Sequence, residues 1–475
     1  MAQLDTRDTK EAAAYEQFLD RYPEYHDTAV LDEVRARDFA RLDEQGQVYL
    51  DYTGAGLYAT SQIQRHTELL AAGIFGNPHS HSAPSVASTD LIDKCRGRIL
   101  RFFNASADIY TVVFTANASQ ALKLVGEAYP FKTSDQLLLT FDNHNSVNWI
   151  REFDRVRGAT TRYVPILPPD LVADPLVVER MLHDRVAGRH NLFAYPAQSK
   201  FSGVQHPARW VEQAQRLGWN VLLDAAAFVP TNQLDLGQAQ PDYVALSFYK
   251  MFGYPTGVGA LMARRQALEK LHRPWFSGGT IDVASVQGDR HFMSAGAHAF
   301  EDGTVDYLSI PAVEFGLDLL ESVGMPIVHD RVRCLTSWLL DQLQSLRHGN
   351  GRRVVRLYGP ITTKERGGTL AFNFCDADGT PIDHQVVDVR ASQRQIALRT
   401  GCFCNPGSGE VALGLSEEDL NRCFRDADDR MDRDDLIRCI DAESGGAVRI
   451  SLGLVSNFTD AHSFMTFAQE FASTV

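Results

Sequence analysis

Between residues 110 and 250, five polar or reactive positions follow apolar, β-rich runs. "VVFTANASQAL" passes from a strand pattern into a helix pattern, so Ala118 and Ser119 can turn amide N–H groups toward an anion at a helix N-terminus. His144 lies in "FDNHNSVNW", just after "QLLLTF", and Gln198 in "YPAQSKFSG", just after "NLFAYP". Asp224 closes "NVLLD", and Lys250 follows "YVALSF" by two residues. Each has an ordinary reading when taken alone. Asp224 suits a helix N-cap, His144 a surface loop, and Lys250 a lysine whose stem lies on apolar surface. The anion cradle reads equally as routine Ser or Asn capping.

Together they read differently. In open α/β sheets ligands bind outside the carboxyl ends of the strands. Here those ends offer an anion cradle, a ring-sized polar contact, an amide, a carboxylate and an amine. Pyridoxal phosphate uses all five: a lysine to condense with its aldehyde, and an acid to keep its ring nitrogen protonated.

The elements that must hold these residues follow from the pattern. From about 110 to 265, short buried strands alternate with helical stretches, which predicts an α/β domain with a largely parallel sheet. Beyond about 310, long helices lead into strands such as "RVVRLYG", "GTLAFNF" and "AVRISLGL", which predicts a smaller α+β domain. The N-terminal helix is expected to complete it. The expected boundaries are a segment 1–50 packing with the small domain, a large domain 51–325 and a small domain 326–475.

Composition narrows the function classes. The 475 residues carry a formal charge of −14, with no basic stripe to neutralise nucleic-acid phosphates. No apolar run approaches the roughly 20 residues of a membrane span. The N-terminus lacks an apolar signal core, and seven scattered cysteines do not form a disulfide framework, so a reducing cytoplasm is expected. The acidic run "DADDRMDRDD" (426–435) lacks the glycine and terminal glutamate of a calcium loop and reads as a solvated helix start. No metal site is expected.

The segments "VVFTANASQALKLVGEAYP", "LFAYPAQSKFSG", "VLLDAAAFVPTNQLDL", "SFYKMFGYPTGVGAL", "FSGGT", "FEDGT", "LRTGCFCNPG" and "VRISLG" resemble those of the class V aminotransferase superfamily of pyridoxal phosphate enzymes, fold type I. They are most similar to its cysteine desulfurase branch, in particular the N-terminal desulfurase domain of molybdenum cofactor sulfurases. The resemblance spans roughly residues 48 to 465. It implies a mainly parallel seven-stranded sheet flanked by helices in the large domain, and a homodimer. It also implies Lys250 as the lysine joined to the cofactor, Asp224 as the partner of the ring nitrogen, His144 stacked on the ring and Gln198 on its hydroxyl. Ala118, Ser119 and Ser247 would hold the phosphate, and Thr280 would reach the phosphate of the neighbouring subunit.

Arg449 would bind the substrate carboxylate, with Arg399 and Asn77 as further substrate contacts. Cys404, the second cysteine of "RTGCFC", occupies the position of the nucleophile that takes sulfur from L-cysteine and releases alanine. Arg399 could lower its pKa. A metal pair or a buried apolar pair are the other readings of "CFC". Many desulfurases have histidine before the lysine, where this chain has Tyr249, as in the molybdenum cofactor branch. A glutamine frequent in relatives is Ala227 here. The chain is expected to end with the desulfurase unit, without the C-terminal domain of those sulfurases, so the acceptor is expected to be a separate protein or a small molecule. A C–S lyase acting by β-elimination on an S-cysteine conjugate in secondary metabolism is the alternative. A scaffold that keeps the fold without the reaction is the third reading.

Overall fold

The computed structural model describes residues 2–425, 430–431, 433–440 and 445–472. Its central sheet has seven strands, β1 (Tyr110–Thr115), β2 (Gln136–Thr140), β3 (Thr160–Val164), β4 (Asn191–Pro196), β5 (Asn220–Asp224), β6 (Tyr243–Ser247) and β7 (Gly259–Arg264). The order across the sheet is β1-β7-β6-β5-β4-β2-β3. Only β7 runs antiparallel to its neighbours. These strands are apolar on both faces because packed side chains cover both. In β4, Leu192 and Ala194 enter the core on one side, and Phe193 and Tyr195 the core on the other.

Helix α1 (Ala2–Arg21) opens the chain. Three helices begin where strands end: α2 (Ala118–Ala128) after β1, α3 (Asn145–Asn148) after β2 and α4 (Phe248–Phe252) after β6. They carry Ala118, Ser119 and Lys250, with His144 as the residue that caps α3. A hairpin of β8 (Ile281–Ser285) and β9 (Arg290–Met293) follows and stays outside the central sheet.

The second sheet is antiparallel throughout. It joins β10 (Val355–Tyr358), β11 (Thr369–Phe374), β12 (Arg399–Gly401) and β13 (Ala447–Ser451) in the order β10-β11-β13-β12. Phe372, Phe374, Val448 and Ile450 of this sheet pack with α5 (Met325–Ser345) and α6 (Phe458–Gln469) through Trp338, Leu339, Phe464 and Phe467. Helix α5 ties the two cores together: Val328 enters the large one, Val332 and Leu335 the small one. The N-terminal segment divides as well. Phe18, Tyr22 and Tyr25 join the small core, whereas Leu31, Val34 and Phe39 join the large one.

The cysteine expectation needs one correction: Cys423 and Cys439 form a disulfide. A local helical pair, Glu417–Arg425 and Arg433–Ile440, brings these two residues together, which a count over the whole chain does not reveal. Of the acidic run, residues 426–429 and 432 lie outside the described residues, and a helix starts at Arg433. No described helix is long and apolar enough to cross a membrane.

Candidate active site

Lys250 sits on the single turn α4, buried, where the chain leaves β6. Gly253 ends that turn at φ 77°, and a Cβ there would lie 2.3 Å from the backbone of Leu57 and Tyr58. Only glycine accepts both the positive φ and the contact. The segment around Gly56 is thereby pinned on the turn, with the Gly56 N–H donating to the Tyr249 carbonyl at 3.0 Å. Tyr249 itself is half-buried.

Asp224 ends β5, the neighbour of β6 in the sheet. Its Oδ1 accepts the Ala226 N–H at 3.0 Å. Burial pushes its pKa up, while the Lys250 ammonium and the Ala226 hydrogen bond pull it down. For Lys250 burial pushes the amine down and Asp224 opposes it. Each group is thus the main favourable charge for the other in a site that disfavours both ions.

The anion cradle forms at the start of α2. Asn117 caps the helix through Gln120 N–H, and Ser247 Oγ accepts the Ala118 N–H at 2.8 Å. The Ser119 amide has no acceptor among the described residues. Its hydroxyl lies 2.5 Å from that of Ser146, next to His144. Gln198 is buried with its Oε1 accepting from Gln205 at 3.0 Å, so its amide N–H is the group it can offer.

His144 Nδ1 accepts the Ser146 N–H at 3.0 Å, which leaves the ring proton on Nε2. Burial, then the cations Lys200, Lys250 and Arg449, push its pKa from 6.5 down to about 3. The folded protein therefore binds fewer protons here than the unfolded chain between about pH 3 and pH 6.5, and stability falls as pH drops through that window. In His144→Asn the urea midpoint of the protein should decline less steeply from pH 7 to pH 4 than in the wild type. Parallel pH profiles would remove this role.

Cys404 is exposed at the mouth of the cluster, on a loop where Phe403 and Cys404 both have positive φ, 55° and 56°. The loop is joined to the His144 loop: Asn145 N–H donates to the Cys404 carbonyl at 2.8 Å, and Asn405 Nδ2 to the Asp142 carbonyl at 2.7 Å. Phe403 packs on Phe201, and the Arg449 guanidinium lies 4.8 Å above the Phe403 ring. Cys402 is half-buried on the same loop, near Gly409.

Arg449, fully buried on β13, donates from Nη2 to Asp51 Oδ1 at 2.6 Å and from Nη1 to the Lys200 carbonyl at 3.3 Å. Its Nε has no partner among the described residues. The other oxygen of Asp51 takes Arg399 at 2.5 Å. This corrects the expectation that Arg399 tunes Cys404: its charge is held by Asp51. The cations felt by the sulfur are Lys200, Lys250 and Arg449.

Lys250, Asp224, His144, Gln198, Ala118, Ser119, Ser247, Arg449 and Cys404 thus converge between the strand ends of the central sheet and the second sheet. Thr280 and Asn77 do not join them within this chain. Thr280 is buried at the base of the β8–β9 hairpin, its hydroxyl donating to the Ser277 carbonyl at 2.8 Å, and Asn77 is exposed beside Thr304. Their neighbours Gly279 and Pro78 line one 420 Å³ cavity. Sequence reasoning missed Asp51 and Lys200. The available signal was the same as for Asp224: a charge set directly beside a buried run, in "VYLDY" and "YPAQSKF".

The aminotransferase class-V family profile matches residues 48–464. Molybdenum cofactor sulfurase of Solanum lycopersicum is 36% identical over 96% of this chain and 59% of its own length. That of Homo sapiens is 37% identical over 92% of this chain and 51% of its own. The chain therefore spans only half to three fifths of these curated relatives. Among solved structures, a cysteine desulfurase from Thermococcus onnurineus NA1 in its apo state matches with TM-score 0.75 at 20% identity, covering 92% of this chain and 97% of that one. A cystine C–S lyase in complex with its product cysteine persulfide matches with TM-score 0.66 at 17% identity, covering 90% and 97%. At these identities the likeness establishes the fold.

Proposed function

The chain belongs to the aminotransferase class-V family, and from that premise we propose that it is a pyridoxal phosphate-dependent cysteine desulfurase, giving alanine and a persulfide on Cys404. The observation that carries this reading is the Asn145–Cys404 hydrogen bond, which ties the sulfur-bearing loop to the loop of His144. A lyase of the β-elimination type has no need of a thiol there. The molybdenum cofactor sulfurase relatives support a sulfur-transfer role, with a separate acceptor protein or a small molecule receiving the sulfur.

The residues fit the cofactor. An acceptor-free Ser119 amide and the Ser247 hydroxyl at a helix N-terminus suit its phosphate. An acid and a desolvated amine on adjoining strand ends suit its two reactive positions. When bound, pyridoxal phosphate supplies the electron sink for bonds broken at the substrate Cα and beyond.

The chain's own residues do the rest. Arg449, oriented by Asp51, receives the substrate carboxylate at its unpartnered Nε. The Lys250 amine, its proton affinity lowered by burial, accepts and returns the Cα proton. His144 stays neutral and offers its Nε2 proton. Cys404 is the nucleophile. A second copy of the chain would cover the β8–β9 hairpin, where Val286 and Phe292 are exposed, and would bring Thr280 to its neighbour.

Product analysis tests the reading. L-cysteine should yield alanine in amounts matching the sulfur released. Pyruvate and ammonia as main products would replace desulfuration with β-elimination.

A further inference from the structure

We infer that Lys200 is the charge partner of the Cys404 sulfur, stabilising its thiolate before sulfur transfer and the anionic persulfide afterwards. The inference rests on the reading of Cys404 as the residue that carries sulfur.

The loop around Lys200 is rigid. Ser199 N–H donates to Val204 O at 2.7 Å, Gly203 N–H to Ser199 O at 3.0 Å and His206 N–H to Ala197 O at 3.0 Å. Gly203 has φ 78°, and a Cβ there would lie 2.5 Å from the Thr369 carbonyl. Both neighbours of Lys200, Ser199 and Phe201, are fully buried. Phe201 packs at 5.2 Å on Phe403, the residue before Cys404. The Lys200 carbonyl is itself an acceptor for Arg449. Its backbone is therefore fixed between the buried arginine and the cysteine loop.

The side chain is another matter. It is half-buried, yet its ammonium has no hydrogen bond or ion pair among the described residues. The charged and titratable groups around it are Lys250, Arg449, Cys404, Asp224 and His144. Asp224 is already engaged by Lys250 and the Ala226 N–H. Burial, then Lys250 and Arg449, push the Lys200 ammonium down to about 7, and of the two groups that pull it up Cys404 is the stronger. Among the described residues, the anion left uncommitted beside this cation is the one that Cys404 provides. Near neutral pH such an amine can also take the thiol proton.

The transfer it serves balances within the site. The electron pair of the thiolate forms the S–S bond as the Cβ–S bond of the substrate breaks. The pair from that bond stays on the carbon, which is protonated and leaves as the methyl group of alanine. The two sulfurs are oxidised by two electrons in total and Cβ is reduced by two, so no external oxidant enters. The product persulfide is anionic and still faces Lys200.

Alkylation by iodoacetamide, read by mass spectrometry on the peptide that carries Cys404, reports the thiolate without turnover. In the cofactor-loaded protein at pH 7, Lys200→Met should slow alkylation about tenfold, because the thiolate loses an opposing charge beside it. The rates should converge near pH 10, and Lys200→Arg should stay close to the wild type. Superimposed pH profiles for the wild type and Lys200→Met would overturn the inference. Failure of the wider reading looks different: Cys404→Ser would then form alanine at the wild-type rate, whatever the alkylation profiles.

Discussion

Lys250→Ala is expected to lower alanine formation from L-cysteine by at least about 10³-fold, the upper part of the range for loss of a positioned acid–base group, since this residue also anchors the cofactor. The size of the effect follows from the neighbourhood. Lys250 is the amine that α4 presents beside the end of β5, with Asp224 as its opposing charge. Burial lowers its proton affinity, which favours the proton transfer asked of it, while Asp224 opposes that shift. Lys250→Arg should be no better than alanine, because a guanidinium stays protonated throughout the working range. Lys200 is not a substitute: its backbone is held by Arg449 and by the packing of Phe201 on Phe403. Borohydride treatment in the presence of pyridoxal phosphate, followed by peptide mapping, separates the cases. The wild type should carry the added mass on the peptide with Lys250, and Lys250→Ala should carry none. A label on Lys200, or activity within threefold of the wild type, would end the assignment.

The catalytic set was legible because most of it lies beside strand ends. A parallel sheet delivers every strand end to the same edge, so Ala118, His144, Gln198, Asp224 and Lys250 could be gathered from local sequence alone. The reversed direction of β7 was not legible, since "GALMAR" is as apolar as its parallel neighbours. Pairings across the domains were hidden for a different reason. Asp51 meets Arg399 at a separation of 348 residues and Arg449 at 398, and no local pattern selects one arginine over another. Arg399 is close to Cys404 in sequence, but its charge is held by Asp51 from the far end of the chain. Lys200 escaped because its importance lies in what it lacks, an ion-pair partner, and that is visible only once its neighbours are in position.

Cys404→Ser is expected to reduce alanine formation by about 10³-fold or more while leaving cofactor loading and thermal stability near the wild type. The loop does not depend on the sulfur. Asn145 donates to the carbonyl of residue 404, Asn405 reaches Asp142, and Phe403 supplies the packing. Serine can make the same backbone bond and adopt the same φ of 56° at no greater cost than cysteine. Only the nucleophile changes, from a thiol that ionises in the accessible range to a hydroxyl that does not. The cations beside it, Lys200, Lys250 and Arg449, then face no sulfur anion. The products discriminate further. A variant that ceases to make alanine but converts L-cysteine to pyruvate would place the cleavage chemistry with Lys250 and the sulfur acceptance with Cys404. Alanine at the undiminished rate would remove the thiol from the reaction, and with it the reason for the Asn145 bond to matter. Loss of both products with intact cofactor binding would make sulfur acceptance obligatory for cleavage, as a site built around this one exposed cysteine requires.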